Sequence, residues 1–253
     1  MELRRTAQEY EMPHQLTYYE CDETGKPTLS MIMSMLSLVA EAHGESLGLD
    51  GKKIHSTGGA WVYGGFEGQL SLDDLHYGDQ IILGTKGTAY NKYFATRDFW
   101  IRSLDGKKEY VRVRAMLVFM NLESRKIMAI PDELIEPYQS DYIIRIPHIK
   151  RPGKIGEDDE INIRQYHVRY FDLDINHHVN NARYFDWLLD PLGEKFLSSH
   201  QLTSFAIQYD REVRFDQDVV SEFCQVNDEK SLHQIISNGQ ECTLAEFSWA
   251  KNK

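Results

Sequence analysis

Residues 29–42 read Leu-Ser-Met-Ile-Met-Ser-Met-Leu-Ser-Leu-Val-Ala-Glu-Ala, and apolar side chains fall on nearly every face of the helix that this pattern predicts. A helix with one apolar stripe can lie on a surface, but one that is apolar all round must be surrounded. The chain that follows offers the means. β-like runs at residues 59–72, 79–90, 93–103 and 108–121 are separated by turn signals such as Tyr77-Gly78-Asp79 and Asp105-Gly106. With a short strand expected at residues 15–20 and the helix over 28–47, the expectation is α+β. In it, a curled antiparallel sheet wraps around a central helix, and the competing arrangement is a helix buried in some other α+β core.

The same order of elements recurs. A strand is expected at residues 161–171, a helix at 180–198, and strands at 204–214, 219–226, 231–237 and 241–249, with Asn238-Gly239 as the last hairpin turn. Between the halves, residues 131–160 carry Pro131, Pro137, Pro147, Pro152, Gly153 and Gly156, a composition that breaks regular structure. The boundary is placed near residue 150, giving an N-terminal module at 1–150 and a C-terminal module at 151–253.

Charge and cysteine usage narrow the function classes. Against 39 acidic residues stand 28 basic ones, a net charge of −11, which disfavours nucleic acid and anionic membrane as partners. The first residues carry two arginines with no apolar run behind them, so no secretory signal or membrane anchor is read there. Cys21, Cys224 and Cys242 lack CxxC spacing and suit reduced thiols in a cytoplasm. An acidic partner would need a local basic patch, and Arg145, His148, Lys150, Arg151 and Lys154 supply a candidate.

Residues 169–190 carry the chemistry. Asp174, Asn176 and His178 are spaced by two, so an extended segment would project all three to one face. The pattern then turns helical through Tyr184, Trp187, Leu188 and Leu192, with Asn180 or Asn181 as N-cap. A carboxylate, a carboxamide and an imidazole before a helix N-terminus suit acyl transfer, because the free amides and the positive helix end favour a developing oxyanion. Alternatively, Asp174 and Asn176 shape a turn and His178 packs beneath it. No metal or cofactor is expected: neighbours such as His177 and His178 point apart on a strand, and no second ligand pair assists them.

The stretch Asp-Leu-Asp-x-Asn-x-His-Val-Asn-Asn-x-x-Tyr from Asp172 to Tyr184 resembles the signature of the acyl-ACP thioesterases of plants and bacteria. Ala60-Trp61-Val62, Arg97-Asp98-Phe99, Asn121-Leu122-Glu123-Ser124-Arg125 and Ile130-Pro131 are similar to that family's first half. The resemblance implies two tandem hot-dog modules and a catalytic set of Asp174, Asn176 and His178. Glu212 matches the family's glutamate, while Val213 stands where plant members have cysteine. That departure implies attack by water activated by Glu212 or Asp174, with no cysteine nucleophile. When Tyr18-Tyr-Glu-Cys-Asp22 is laid on Tyr170-Phe-Asp-Leu-Asp174, Thr24 and Lys26 take the places of Asn176 and His178. The first half therefore reads as a degenerate copy, which the resemblance implies helps to form an acyl pocket. Met31, Met33 and Met35 either line that pocket or fill core.

The resemblance implies hydrolysis of fatty acyl-ACP, with acyl carrier protein as partner and homodimerisation left open. An acyl-CoA thioesterase is the second reading, since both substrates share the phosphopantetheine thioester. A non-catalytic acyl-thioester sensor is the third, and the trio argues against it.

Overall fold

The structure, a computed structural model, describes residues 3–175 and 178–252. The apolar helix is α1 (Leu29–Ser46), opened by Thr28, whose hydroxyl accepts the Met31 amide at 3.2 Å. Ser34 and Ser37 do not interrupt it, because their hydroxyls donate back to the Ser30 and Met33 carbonyls. Leu29, Ile32, Met33, Met35, Leu36 and Val39 are buried, and a narrow edge at Leu38 meets solvent. Each buried aliphatic side chain contributes about 1.5–3 kcal/mol. Met33 and Met35 belong to the main core.

The first half also contains β1 (Glu9–Gln15), α2 (Gly51–Ser56), β2 (Gly59–Leu70), β3 (Gln80–Tyr90), β4 (Phe94–Ser103), β5 (Glu109–Asn121), α3 (Asp132–Ile135) and β6 (Asp141–Tyr142). The second contains β7 (Asn162–His167), α4 (Asn181–Leu189), α5 (Glu194–Ser199), β8 (His200–Tyr209), β9 (Asp218–Asn227), β10 (Lys230–Ser237) and β11 (Gln240–Lys251). Residues 143–161 carry no helix or strand.

The strands form one sheet in the order β1-β3-β4-β5-β2-β8-β11-β10-β9-β7, with β6 pairing β3 off this path. From the centre outward, β2-β5-β4-β3-β1 on one side matches β8-β11-β10-β9-β7 on the other. One five-strand order is therefore built twice, and α1 packs against β1, β3 and α4. This is the hot-dog arrangement in tandem, an α+β fold.

The halves meet where β2 runs antiparallel to β8, with Gly65 opposite Gln208 and Gly68 opposite Phe205. Glycine is required at both positions. A Cβ on Gly65 would sit 2.4 Å from the Ile207 carbonyl oxygen, and one on Gly68 2.4 Å from the Phe205 ring.

Several expectations change. The strand expected at 15–20 lies instead at 9–15 and shares only Gln15 with that expectation, because beyond it the Glu20 carboxylate accepts from the Thr17 amide and hydroxyl, both at 2.7 Å, and folds residues 18–20 into a 3-10 turn. Its counterpart at 161–171 ends at His167 for the same reason, with Asp172 accepting from the Arg169 amide at 2.8 Å. The helix expected at 180–198 is broken after Leu189 by Pro191, which cannot continue the backbone ladder, and Gly193 at φ 79 turns the chain into α5. Asn238 and Gly239 both take positive φ, 51° and 70°, as a tight primed hairpin turn requires.

Candidate active site

The loop before α4 is a closed turn. Leu173 bridges Val179, and the Asp174 amide donates to the His178 carbonyl at 2.8 Å. Asp174 and His178 are therefore joined across the loop rather than aligned along one extended strand. Asn176 and His177 lie outside the described residues. Asn180 caps α4, its side-chain oxygen accepting the Ala182 amide at 3.0 Å, while its own amide donates to the Asp172 carbonyl at 2.9 Å.

Asp172 ties this loop down from below. It is 1% exposed and accepts from the Arg169 amide and guanidinium, with Arg183 Nε at 3.8 Å. Burial pushes its carboxyl up, but the hydrogen bonds and charge of Arg169 outweigh burial and hold it below the usual carboxylate range.

Glu212 comes to the loop from β8, which ends at Tyr209 rather than near residue 214. The residue is thus on the β8–β9 connection and not on a strand. The amides of Asp210 and Arg211 donate to the Cys242 carbonyl at 2.9 and 3.1 Å, and the Val213 amide donates to the buried Tyr184 hydroxyl at 3.0 Å. These bonds pin the connection against β11 and α4. One Glu212 carboxylate oxygen then lies 3.6 Å from His178 Nδ1, while the other takes the Arg125 guanidinium.

Sequence reasoning assigns no role to Arg125, which lies in the family-like stretch 121–125. It stands in the first half on the turn after β5, where Asn121 Oδ1 accepts the Glu123 and Ser124 amides at 3.1 and 2.8 Å and Arg125 itself takes φ 55. The site therefore straddles both halves. The side chains of His178, Glu212 and Arg125 are 37%, 29% and 28% exposed, open to a substrate yet partly desolvated.

The thiols point the same way as the Val213 departure. Burial pushes Cys21, Cys224 and Cys242 all above the usual thiol value, with neighbouring carboxylates adding to it at Cys21 and Cys224. A raised thiol is a poor nucleophile. Val213 is fully buried. Among the described residues no cluster of His, Cys, Asp and Glu has the make-up to hold a metal ion, and no helix is long and apolar enough to cross a membrane.

The family model for the acyl-ACP thioesterase N-terminal domain matches residues 7–138, and the one for the C-terminal domain matches residues 155–251. The chain belongs to the acyl-ACP thioesterase family. A solved structure from Lactobacillus plantarum, described provisionally as an oleoyl thioesterase, is 35% identical with a TM-score of 0.92, covering 97% of each chain. The 12:0-ACP thioesterase of Umbellularia californica shares the fold at 22% identity, with a TM-score of 0.85 over 96% of this chain and 98% of that one. A chloroplastic dodecanoyl-acyl-carrier-protein hydrolase of Cinnamomum camphora is 34% identical over 124 residues, 47% of this chain and 32% of that protein. The matched segment spans about a third of the length of the first such curated relatives.

Of the residues that the acyl-ACP thioesterase resemblance singled out, His178 and Glu212 meet, and Asp174 closes the loop that carries His178. In the basic run, Lys150 pairs with Glu246 at 2.7 Å and Lys154 with Glu241 at 3.1 Å, so both pin the inter-half segment to β11. Arg145, His148 and Arg151 are exposed.

Proposed function

We propose that the chain hydrolyses the thioester of fatty acyl-ACP, releasing a free fatty acid and holo-ACP. The observation that carries this reading is the Glu212 carboxylate facing the His178 imidazole across 3.6 Å at the entrance to α4, in a chain of the acyl-ACP thioesterase family. That separation is too long for a direct hydrogen bond but suits a water shared by both groups. Glu212 takes a proton from this water as its oxygen attacks the thioester carbonyl. Asn176, His178 and the amides at the α4 N-terminus stabilise the oxyanion, and the departing sulfur leaves as a thiol, with His178 as proton donor. Asp174 holds the loop, and Arg125 holds Glu212. The halves act as modules that divide near residue 150, with the first contributing Arg125 and the second the loop. The partner is acyl carrier protein in the cytoplasm, met by the exposed Arg145 and Arg151.

The test is turnover of acyl-ACP and acyl-CoA by purified protein and by His178→Ala, Glu212→Ala, Asp174→Ala and a variant with all three cysteines changed to serine. Folded His178→Ala should lose roughly 10²–10⁴-fold, and the cysteine-free protein should keep its rate. Near-normal turnover by folded His178→Ala, or full activity in both carboxylate variants, would overturn the mechanism. Preference for acyl-CoA would move the substrate.

A further inference from the structure

Two hydroxyls tie the start of α4 to the connection that carries Glu212, and the matching positions of the first half have none. Tyr184 on α4 accepts the Val213 amide at 3.0 Å, one residue beyond Glu212. Tyr209, at the end of β8, donates to the carbonyl of Asn181, the first residue of α4, at 3.4 Å. The two rings meet edge to face at 5.2 Å, and Phe66 of the first half packs edge-on against Tyr209 at 6.2 Å. Burial pushes both hydroxyls above the ordinary phenol range, so both stay neutral near pH 7.

The repeat provides the comparison. The Ser71 amide donates to the Tyr110 carbonyl on β5 at 2.8 Å, as the Asp210 amide donates to the Cys242 carbonyl on β11 at 2.9 Å, so Leu70 occupies the place of Tyr209. Thr28 and Asn180 cap α1 and α4, and four residues beyond each stand Ile32 and Tyr184. Leu70 and Ile32 are both buried. An aliphatic side chain thus fills each place in the twin, and packing alone does not call for a phenol. The tyrosines belong to the half that carries His178 and Glu212.

What they hold is an uncommitted amide. A helix leaves its first amides without partners inside the helix. At α4, Asn180 donates to the Asp172 carbonyl at 2.9 Å, Ala182 to the Asn180 side chain at 3.0 Å, and Arg183 to the Asn180 carbonyl at 2.8 Å. The Asn181 amide has no acceptor among the described residues, and the residue is half-buried. It is held on both sides, by the Arg183 amide on the preceding carbonyl and by Tyr209 on its own. We propose that the Asn181 main-chain N–H receives the thioester oxygen as it gains negative charge, and that Tyr209 and Tyr184 are positioning residues that fix this donor relative to Glu212. The assignment rests on the proposed thioesterase reading.

Proline deletes that N–H with little disturbance of the helix. It is favoured at the first helical position, and Asn180 at φ −57 and ψ 128 already has the extended backbone that a residue before proline adopts. Asn181→Pro, with a melting temperature near wild type, should lose roughly 10²–10³-fold in kcat on palmitoyl-ACP with KM little changed. Asn181→Ala keeps the amide and should lose far less. Tyr209→Phe should lower kcat by roughly tenfold at unchanged KM, and should cost almost nothing once Asn181→Pro is present. Calorimetry with the ketone analogue of palmitoyl-pantetheine, in which CH2 replaces sulfur, reads the amide without turnover. Asn181→Pro should weaken the ketone by about tenfold and leave the carbonyl-free thioether unaffected. Wild-type kcat in folded Asn181→Pro or in folded Tyr209→Phe would overturn the proposal. So would equal losses in Asn181→Pro and Asn181→Ala, equal costs of Tyr209→Phe in both backgrounds, or unchanged ketone affinity. A wild type that binds the ketone and turns over no thioester would defeat the hydrolase reading alone, because ketone affinity still reads the amide.

Discussion

Removing the Arg125 guanidinium tests whether the first half reaches into the chemistry of the second. Arg125 meets the Glu212 oxygen that faces away from His178, and both side chains are a little under a third exposed. Two unit charges about 4 Å apart interact by about 4 kcal/mol near a protein surface and about 1 kcal/mol in water. Partial exposure and screening put this pair between those limits, at about 2 kcal/mol. If that energy serves to hold Glu212 in place, Arg125→Ala should lower kcat/KM about 30-fold. The assay is a double-mutant cycle on acyl-ACP hydrolysis with Arg125→Ala, Glu212→Gln and the double variant, alongside thermal melts to establish folding. Since Arg125 acts through Glu212, its loss should cost almost nothing once Glu212 is already Gln. Arg125→Lys should recover part of the rate, because a lysine supplies charge without the planar fork. Equal losses in both backgrounds would refute the reasoning and leave Arg125 as a stabilising surface pair.

Tyr184→Phe leaves the Val213 amide without its acceptor in a buried setting, a loss of about 1–3 kcal/mol. A lower melting temperature together with reduced turnover should follow, and normal turnover would show that Glu212 needs no such anchor. His43 is buried, with Nδ1 3.1 Å from Arg97 and Nε2 3.0 Å from the Ala7 carbonyl; burial first, then Arg97, pushes its value down to about 4. Its neutral form is therefore the folded one, so the stability it contributes is present above about 6.5 and lost as pH falls toward about 4. The unfolding free energy from urea titrations should drop between pH 7 and pH 5 by about 2 kcal/mol in wild type, and a His43→Gln protein with the same drop would exonerate the histidine. Arg145→Glu with Arg151→Glu should raise KM for acyl-ACP and spare acyl-CoA, an effect that fades with added salt; equal effects on both substrates would discard the docking surface.

The architecture was legible because it rests on local periodicity. The all-round apolar helix, the strand runs and the turn pairs each announced themselves within a dozen residues, and α1 differs from its expected bounds by one residue at each end. The site was legible only where a motif carried it. Asp172 and Glu20 were not read as the acceptors that end their strands, because a carboxylate reaching back three residues leaves no periodic trace. The closed loop at Asp174 and His178 followed from that same unread turn. Arg125 and Glu212 lie 87 residues apart, and no pattern along one half tells which cation in the other will meet its carboxylate. Likewise Lys150 and Lys154 read as a free basic run, since their partners Glu246 and Glu241 sit on the last strand.

The seam of β2 on β8 also decides what substitutions can do. In a two-fold homodimer every change of sequence strikes both sites at once, so a residue that favours one task burdens the other. Here the symmetric partner is tethered in the same chain. Pairing across the seam is intramolecular and does not weaken on dilution, and the two loops are free to drift apart. One keeps a histidine beside a carboxylate, the other trades it for a lysine, and neither exchange is copied to its twin.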